Sequence, residues 1–376
     1  MIPKLVFSET LRGFLAPVQA YLDDPTVTEI LINGPEQIYV ERRGRLEAVP
    51  ERFESREAVL CALRNAAQFV GKHIDEQHPI LEARLPDGSR LQAAVHPVAP
   101  DGPYVAIRRF SQETFDLHKL IERDSLTPAA ADLLAAIVRA KLNVIVAGGT
   151  GSGKTSLLNV LTRFVPDGER IVVIEDSKEV QVQHRHVVHL EARPADLAGH
   201  GAVGIRELFR ASLRLRPDRI VIGEIRGGEA LDIVQAMVSG HGGCMGTLHA
   251  TYPRDTLTRL ETMALMSDVE IPLSALRMQI ASGINLIVQV SRAADGSRKL
   301  THVSEVRGFD LATNRYEIVD LFVRRYAGMG SDGRVASELV TTGAVPTFLP
   351  ALREHGMELS QFSFAASPGK IDNDQE

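Results

Sequence analysis

The sequence predicts an α/β protein of two domains, and three observations support this prediction. The chain has 376 residues, which is more than one ordinary hydrophobic core accommodates. Short β-like runs separated by turn residues fill the first third, a pattern that is typical of a small α+β domain. Farther along, apolar strands alternate with helical segments, as they do in an open α/β sheet.

The first domain is predicted to span residues 1–110. A helix is expected over 55–71, because Ser55 is suited to cap its N-terminus. The turn residues 86–89 (Pro-Asp-Gly-Ser) between two apolar runs predict a hairpin. Strands are expected over 28–32, 37–41, 45–49, 81–85, 90–95 and 104–110.

A polar segment, 111–126, is predicted to link this domain to a second one over 127–365. The second domain should open with a helix that Thr127 caps and Pro128 begins. Its expected strands are 142–147, 171–175, 219–223 and 286–290, and its expected helices are 155–164, 204–216, 228–239, 255–266 and 272–282. Residues 366–376 are polar and are expected to form a disordered tail.

The composition narrows the functional classes. Hydrophobic residues make up 44% of the chain and charged residues 24%, and no apolar run approaches the ~18 residues of a membrane-spanning helix. The formal net charge of −6 argues against a protein that coats nucleic acid. The distant cysteines, Cys61 and Cys244, and the absence of a signal-peptide pattern predict a reduced, cytoplasmic protein.

A glycine-rich segment between a predicted strand and a predicted helix is the most specific signal. It reads G-G-T-G-S-G-K-T, which is the phosphate-binding pattern in its required context. Glycines let backbone N–H groups point at phosphates, and the helix N-terminus adds its dipole. We expect Lys154 to bind the β- and γ-phosphates of a nucleotide and the Thr155 hydroxyl to bind Mg²⁺. The expected nucleotide ligands are Gly148, Gly149, Thr150, Gly151, Ser152, Gly153, Lys154, Thr155 and Ser156.

Carboxylates follow two further apolar strands. Glu224 ends the second of them, where phosphate-loop enzymes place an acid beside the γ-phosphate. We expect Glu224 to act as general base or water-positioning group, and to serve with Thr155 at the metal. Glu175 ends the other strand and Glu179 follows it. Two interpretations stay open for this pair: groups that orient water or hold the metal's water shell, and solvated acids at an ordinary strand end.

Histidines and arginines supply further candidates. His241 and His249 lie in a glycine-rich segment without the third ligand that a metal site needs. His249 is either a satisfied structural histidine or a group that contacts the γ-phosphate or Glu224 and reports nucleotide state. Arg210 and Arg214 belong to a basic stripe on a predicted helix. Such a stripe is either a solvated face or a source of arginine for phosphoryl transfer at a neighbouring site.

Four motifs in this order resemble the secretion ATPase superfamily of type II and type IV systems. They are the phosphate loop, E-D-x-x-E from Glu175, I-G-E-I-R around Glu224, and G-H…T-L-H-A ending at Ala250. The chain is most similar to the CpaF/TadA branch, the motor ATPases of tight-adherence (Flp, type IVb) pili. Further segments that resemble this branch are 27–35, 83–90, 107–110, 215–220 and 253–263.

The resemblance implies an N-terminal PAS-like α+β domain, a flexible linker and a C-terminal RecA-like ATPase domain. It further implies a homo-hexamer that holds ATP and Mg²⁺ between its two domains. The family's aspartate box, Walker B motif and histidine box would fall on Glu175 with Glu179, on Glu224, and on His241 with His249.

The same resemblance assigns roles to four arginines. Arg90 and Arg108 match arginines of the N-terminal domain that close onto the nucleotide. Arg210 and Arg214 are the candidates for contacts across subunits. Two features depart from the family pattern: the N-terminal helical extension is shorter, and the histidine box carries Gly242, Cys244 and Gly246 where Asp, Ser and Thr are more frequent.

The resemblance therefore implies an ATP-hydrolysing hexameric motor at the cytoplasmic face of the bacterial inner membrane. Its work would be assembly, with or without retraction, of a type IVb/Tad pilus or a related secretion machine. The expected partners are polytopic inner-membrane platform proteins and cytoplasmic regulatory or localisation proteins of the same system, and no nucleic acid. Three alternatives stay open: a conjugative or type IV secretion ATPase, a RecA-like nucleic-acid motor, and a nucleotide-gated scaffold without catalysis.

Overall fold

The computed structural model describes residues 4–42, 44–109, 116–195 and 199–357. The chain divides into two compact units, 1–113 and 114–376. This boundary falls within the predicted linker over 111–126, but residues 117–122 of that segment form a helix that belongs to the second unit. Asp116 caps this helix by accepting a hydrogen bond from the Lys119 amide. The predicted tail, 366–376, and the last residues of the predicted ATPase domain, 358–365, lie outside the described residues.

The first unit is an antiparallel sheet with helices on one face. Side chains alternate between the two faces, so that Ile30 and Ile32 are buried in one strand and Leu91 and Ala93 in another. The strands are β1 (Val27–Asn33), β2 (Gln37–Arg42), β3 (Arg45–Val49), β4 (Ile80–Arg84), β5 (Arg90–Ala94) and β6 (Tyr104–Arg108), in the order β3-β2-β1-β6-β5-β4. The helices α1 (Lys4–Phe14), α2 (Ala16–Asp23) and α3 (Arg56–Phe69) complete its core.

The sequence predictions for this unit are confirmed at the level of elements. Each expected strand overlaps an observed one. Ser55 caps α3 through its side-chain oxygen, which accepts a hydrogen bond from the Ala58 amide at 3.2 Å. The finer PAS-like assignment stays a prediction.

The second unit is built on a mixed sheet. Its strands are β7 (Val144–Gly148), β8 (Ile171–Glu175), β9 (Val187–Glu191), β10 (Arg219–Ile222), β11 (Met245–Leu248), β12 (Leu286–Arg292), β13 (Arg298–Asp310), β14 (Arg315–Met329) and β15 (Val335–Thr341). Their order is β15-β14-β13-β12-β7-β11-β10-β8-β9. The strands from β12 to β9 in that order run parallel, and β13, β14 and β15 extend the sheet as an antiparallel meander.

Helices cover both faces of the parallel part. Val144 and Val146 of β7 face one core, whereas Ile145 and Ala147 face the other, because successive side chains point to opposite sides. Thr127 caps the first long helix as predicted, accepting a hydrogen bond from the Ala130 amide. The helices are α4 (Leu117–Glu122), α5 (Pro128–Arg139), α6 (Lys154–Thr162), α7 (Ile205–Ser212), α8 (Glu229–Val238), α9 (Pro253–Ala264), α10 (Leu273–Gly283) and α11 (Leu349–Glu354).

This topology decides where a site can form. The carboxyl ends of parallel strands meet at one edge of the sheet, which is where open α/β sheets bind ligands. The loops after β7, β8, β10 and β11 therefore converge at that edge. None of the helices in the described part of the chain is long and apolar enough to cross a membrane.

Candidate active site

The loop between β7 and α6 has the backbone of a phosphate-binding loop. Gly151 and Gly153 adopt φ of +69° and +96°, a region that favours glycine. At Gly148 a Cβ atom would overlap the Val290 carbonyl oxygen and lie 2.5 Å from Ser152 Oγ, so that a side chain has no room. Ser152 Oγ also donates a hydrogen bond to the Gly149 carbonyl oxygen at 2.8 Å. These contacts fix a loop whose amides precede the N-terminus of α6.

Lys154 is the first residue of α6 and is almost completely buried, with 8% of its surface exposed. Its ammonium group donates to the carbonyl oxygens of Gly148 at 3.1 Å and Gly149 at 2.9 Å. The His249 ring nitrogens lie 3.3 and 3.4 Å from Lys154 Nζ. The cation is thus held at the mouth of its own loop, where phosphates would meet it.

Glu224 lies between His249 and Arg226. Its Oε1 is 3.1 Å from His249 Nε2, and its Oε2 is 2.7 Å from an Arg226 guanidinium nitrogen. Arg226 also reaches Asp176 at 3.5 Å, which follows β8. A continuous series of polar side chains therefore crosses the ends of neighbouring strands. Its members are Lys154, His249, Glu224, Arg226 and Asp176.

The electrostatics of this polar series favour an ionised Glu224 and a neutral His249. Burial raises the pKa of Glu224, but the hydrogen bond and charge of Arg226, with His249 and Lys154, lower the pKa below its ordinary value. Burial and the Lys154 charge lower the pKa of His249, against the opposing effect of Glu224. A neutral imidazole can accept a hydrogen bond from Lys154 and donate one to Glu224.

Glu175 is buried at the end of β8, with 4% of its surface exposed, and is therefore not a solvated acid. Its Oε1 accepts hydrogen bonds from the amides of Glu179 at 2.9 Å and Val180 at 2.7 Å. Its side chain covers Gly223, where a Cβ atom would lie 2.8 Å from Glu175 Cγ. Burial raises the pKa of Glu175 to about 7. Glu175 thus shapes the turn after β8 and packs against the residue before Glu224, and Glu179 contributes its backbone amide.

Gln289 is a residue that the sequence analysis missed. It lies in β12, 2% exposed, and its side-chain amide donates to the carbonyl oxygens of Ala250 at 2.9 Å and Thr251 at 3.1 Å. These are the residues directly after His249, so Gln289 holds the backbone that carries the histidine. The signal in the sequence was a polar residue inside an otherwise apolar run, 286–290.

His241 lies away from this arrangement. It precedes β11, whereas His249 follows it, and the two residues are therefore at opposite edges of the parallel sheet. His241 lines a cavity of about 180 Å³ together with Lys141 and Arg219, which lies at the amino end of β10. The histidine box that the resemblance implies is thus divided, and only His249 reaches the phosphate-loop edge.

Of the two candidate arginines for contacts across subunits, Arg210 is engaged within its own unit. Its Nε lies 2.9 Å from an oxygen of Asp232 on α8, and Arg206 binds the other oxygen of Asp232 at 2.6 Å. Arg214 is exposed beyond the end of α7. Their role across subunits stays a prediction.

Arg90 and Arg108 of the first unit are direct neighbours. They face each other across the β5–β6 ladder, and Arg90 also faces Arg84 across the β4–β5 ladder. Ladder partners lie ~5 Å apart at their Cα atoms, so three arginines lie side by side at one end of this sheet. Arg108 also faces Glu29 of β1 across the β1–β6 ladder. The contribution of Arg90 and Arg108 to a phosphate site stays a prediction.

The chain matches a known protein family over most of its length. The sequence profile of the family described as "Type II/IV secretion system protein" matches residues 14–320. The chain belongs to the type II/IV secretion system protein family. A putative conjugal transfer protein of Mycobacterium tuberculosis is 34% identical over 341 residues, covering 89% of this chain and 94% of that protein.

A second relative comes from a type IV secretion system. The type IV secretion system protein PtlH of Bordetella pertussis is 34% identical over 315 residues, covering 76% of this chain and 91% of that protein. Among solved structures, the Legionella pneumophila ATPase DotB matches with a TM-score of 0.54 and 22% identity, covering 76% of this chain and 79% of that one. The DotB likeness concerns the fold.

Family membership bears directly on the sequence predictions. The secretion-ATPase resemblance is confirmed at the level of the family, and the chain is an ATPase of the type II/IV secretion class. The tight-adherence branch is not confirmed, and the relatives favour the alternative interpretation, a conjugal-transfer or type IV secretion protein.

The site of this secretion ATPase fits Mg²⁺ as a partner of bound nucleotide. Across the described ranges, no cluster of three His, Cys, Asp or Glu residues could hold a metal by itself. Mg²⁺ commonly takes only one or two protein oxygens and completes its shell with phosphate oxygens and water. Thr155, next to Lys154 in α6, and Glu224, on the neighbouring loop, are the residues that would hold it.

Proposed function

We propose that this chain is the ATP-hydrolysing motor of a conjugal-transfer or type IV secretion machine. The observation that carries the proposal is the hydrogen-bonded series from Lys154 through His249 to Glu224 at the phosphate loop. It unites a phosphate-binding cation with an ionised carboxylate suited to activate water. The names of the 34% identical relatives support the choice of machine.

Hydrolysis would rest on positioning and electrostatics. The loop amides and Lys154 bind the β- and γ-phosphates, and Lys154 exchanges its carbonyl partners for phosphate oxygens. Mg²⁺, when bound, neutralises charge on the phosphates. Glu224, held ionised by Arg226, orients a water molecule and accepts its proton. Arg90 and Arg108 add positive charge from the first unit, and Glu175 fixes the turn beside Glu224.

The assembly and location follow from the same proposal. A homo-hexamer at the cytoplasmic face of the bacterial inner membrane would join the ATPase to polytopic membrane proteins of the machine. Cytoplasmic regulatory proteins of the same system are the other proposed partners. ATP hydrolysis would drive the transfer of substrate.

A motor of tight-adherence pili is the second candidate. The segments 83–90, 215–220 and 253–263, which resemble that branch, favour it. Disruption of the gene separates the two: loss of conjugal or protein transfer with intact pili supports the first proposal, and loss of surface pili with intact transfer supports the second.

Phosphate release by the purified chain tests the proposed activity. We expect Lys154→Ala to reduce turnover by at least about 100-fold, since it removes the phosphate-binding cation. We expect Glu224→Gln to bind ATP yet to hydrolyse it about as poorly as Lys154→Ala does. Lys141→Ala, at the other edge of the sheet, is the matched control and should retain activity. Turnover of Lys154→Ala near wild type would refute the assignment.

A further inference from the structure

Two arginines of the β12–β13 hairpin lie over the phosphate loop. Arg298 Nε donates a hydrogen bond to the Gly151 carbonyl oxygen at 3.0 Å. A Cβ atom on Gly153 would lie 3.3 Å from Arg298 Cδ, and one on Gly151 would lie 3.7 Å from an Arg292 guanidinium nitrogen. Both arginines are exposed, so their guanidinium groups border the loop from the solvent side.

The two arginines also face each other. Arg292 and Arg298 are direct partners in the β12–β13 ladder. A guanidinium group binds phosphate oxygens with charge-assisted hydrogen bonds. The hairpin therefore presents two such groups side by side at the phosphate loop.

Hydrogen bonds and ion pairs hold the base of the β12–β13 hairpin in place. Ser125 Oγ donates to the Arg298 carbonyl oxygen at 2.7 Å, and the Leu300 amide donates to the Ser125 carbonyl oxygen at 2.8 Å. Lys299 binds the Asp124 carboxylate at 2.8 Å, and the buried Arg324 binds the same carboxylate at 3.2 Å. We call residues 123–125 the Asp124 anchor. Because the anchor fixes the backbone at Arg298, the arginine side chain is pre-organised toward the loop.

We propose that Arg298, with Arg292 beside it, is a nucleotide-phosphate ligand supplied by the same unit that carries the phosphate loop. The inference rests on the proposed ATPase function and adds to it a phosphate contact from the hairpin. Nucleotide binding would then not depend on Lys154 and the loop amides alone, nor on arginines of the first unit alone.

Equilibrium binding of ADP and of a non-hydrolysable ATP analogue to the full chain tests this proposal. We expect Arg298→Gln to weaken both Kd values by about tenfold and to make the salt dependence of binding shallower, because a phosphate-bound charge is lost. Arg298→Lys should recover part of the loss, since it keeps the charge and loses the planar fork. Arg315→Gln, an exposed arginine at the far end of the β13–β14 hairpin, is the control and should bind like wild type.

The outcomes separate this inference from the proposed function. A Kd for Arg298→Gln within about twofold of wild type, with the fold intact, overturns the inference. Equal losses in the Gln and Lys variants, with lower thermal stability and an unchanged salt dependence, assign Arg298 a structural role and also overturn it. If wild type binds no nucleotide, and Lys154→Ala makes no difference, the proposed function fails instead.

Discussion

At the scale of single residues, the position of His249 is the most informative. Its ring lies within hydrogen-bonding distance of both Lys154 and Glu224, the two groups on which phosphate binding and water activation would depend. A neutral imidazole between a cation and an anion transmits a change at one to the other, because donating to Glu224 and accepting from Lys154 strengthen each other. His249 is thus suited to register whether phosphate has drawn Lys154 away.

We expect His249→Ala to lower kcat by about 10–100-fold while ATP binding changes much less, because the orientation of Glu224 is lost and the loop stays intact. Steady-state kinetics with phosphate detection measures both quantities. His241→Ala, in the same glycine-rich segment and at the opposite edge of the sheet, is the matched control and should stay within about twofold of wild type. Equal losses in the two variants would contradict a specific role for His249.

The buried carboxyl of Glu175 predicts a pH-dependent stability. Its pKa of about 7 exceeds the ordinary 4.5, so the folded state keeps a proton that the unfolded state releases in this range. This contribution is present below about pH 4.5 and is lost as pH rises through about 7. The Glu175→Gln variant has no proton to release at this position. As pH rises from 4.5 to 8, the free energy of unfolding of wild type should therefore fall relative to that of the variant by on the order of 2–3 kcal/mol.

Chemical denaturation at several pH values, without nucleotide, measures this difference. Glu338→Gln, which changes an exposed carboxylate in β15 at the opposite side of the sheet, is the control. A constant difference between Glu175→Gln and wild type across that range would rule out the shifted pKa.

The sequence predicted some of these residues and could not predict others. Lys154, Glu224 and His249 were found because a local motif or the end of an apolar strand marks them. Gln289 and Arg298 were missed because their partners, Ala250 and Gly151, are distant in sequence. Such pairs depend on which strands are neighbours and in which register, and no local pattern encodes that.

At the scale of elements, the passage from β7 into α6 is constrained by its neighbour β12. Val290 of β12 pairs with Gly148, and its carbonyl oxygen fills the space where a side chain would stand. The phosphate loop therefore depends on contact with a strand that follows it by more than a hundred residues.

We expect Gly148→Ala to lower the free energy of unfolding by about 1–3 kcal/mol or more, because a methyl group would overlap the Val290 carbonyl oxygen and Ser152 Oγ. Gly149→Ala is the control, since nothing lies within 4 Å of the point that its Cβ atom would occupy, and it should change stability by less than about 0.5 kcal/mol. Denaturant unfolding compares the two. Equal stability of both variants would show that the loop adapts more freely than its contacts indicate.

The parallel strands were predicted from sequence more completely than the meander β13–β15. The buried parallel strands are short apolar runs, which stand out in a sequence. The meander strands are partly exposed, and irregular register between β13 and β14 near Val303 and Val306 interrupts the alternation of polar and apolar residues. A period-2 pattern that is broken twice within one strand is hard to recognise.

At the scale of the whole molecule, the two units have separate cores. One cluster of buried residues lies wholly in the first unit, and two clusters, on opposite faces of the mixed sheet, lie in the second. A unit with its own core should fold independently.

We therefore expect residues 116–357, expressed alone, to unfold cooperatively and to bind ADP, since the loop, Lys154 and Arg298 all belong to this segment. Circular dichroism during heating, with and without ADP, measures this, and ADP should raise the Tm through mass action. The matched variant Lys154→Ala in the same segment should fold yet show no such rise. A segment without a cooperative transition would mean that the first unit completes its core.

The Asp124 anchor also has a mechanical consequence. Residues 116–122 lead from the boundary between the units directly into the anchor, which is bonded to β13 and β14. A force applied at residue 116 would therefore be transmitted to β13, beside Arg298, before it reaches α5. Hydrogen bonds across strands resist such a pull together, and Asp124→Ala should lower the unfolding force in single-molecule stretching. An unfolding force equal to that of wild type would show that contacts other than those of Asp124 resist the pull. Force applied through residues 116–122 would thus reach the strand whose Arg298 contacts the phosphate loop.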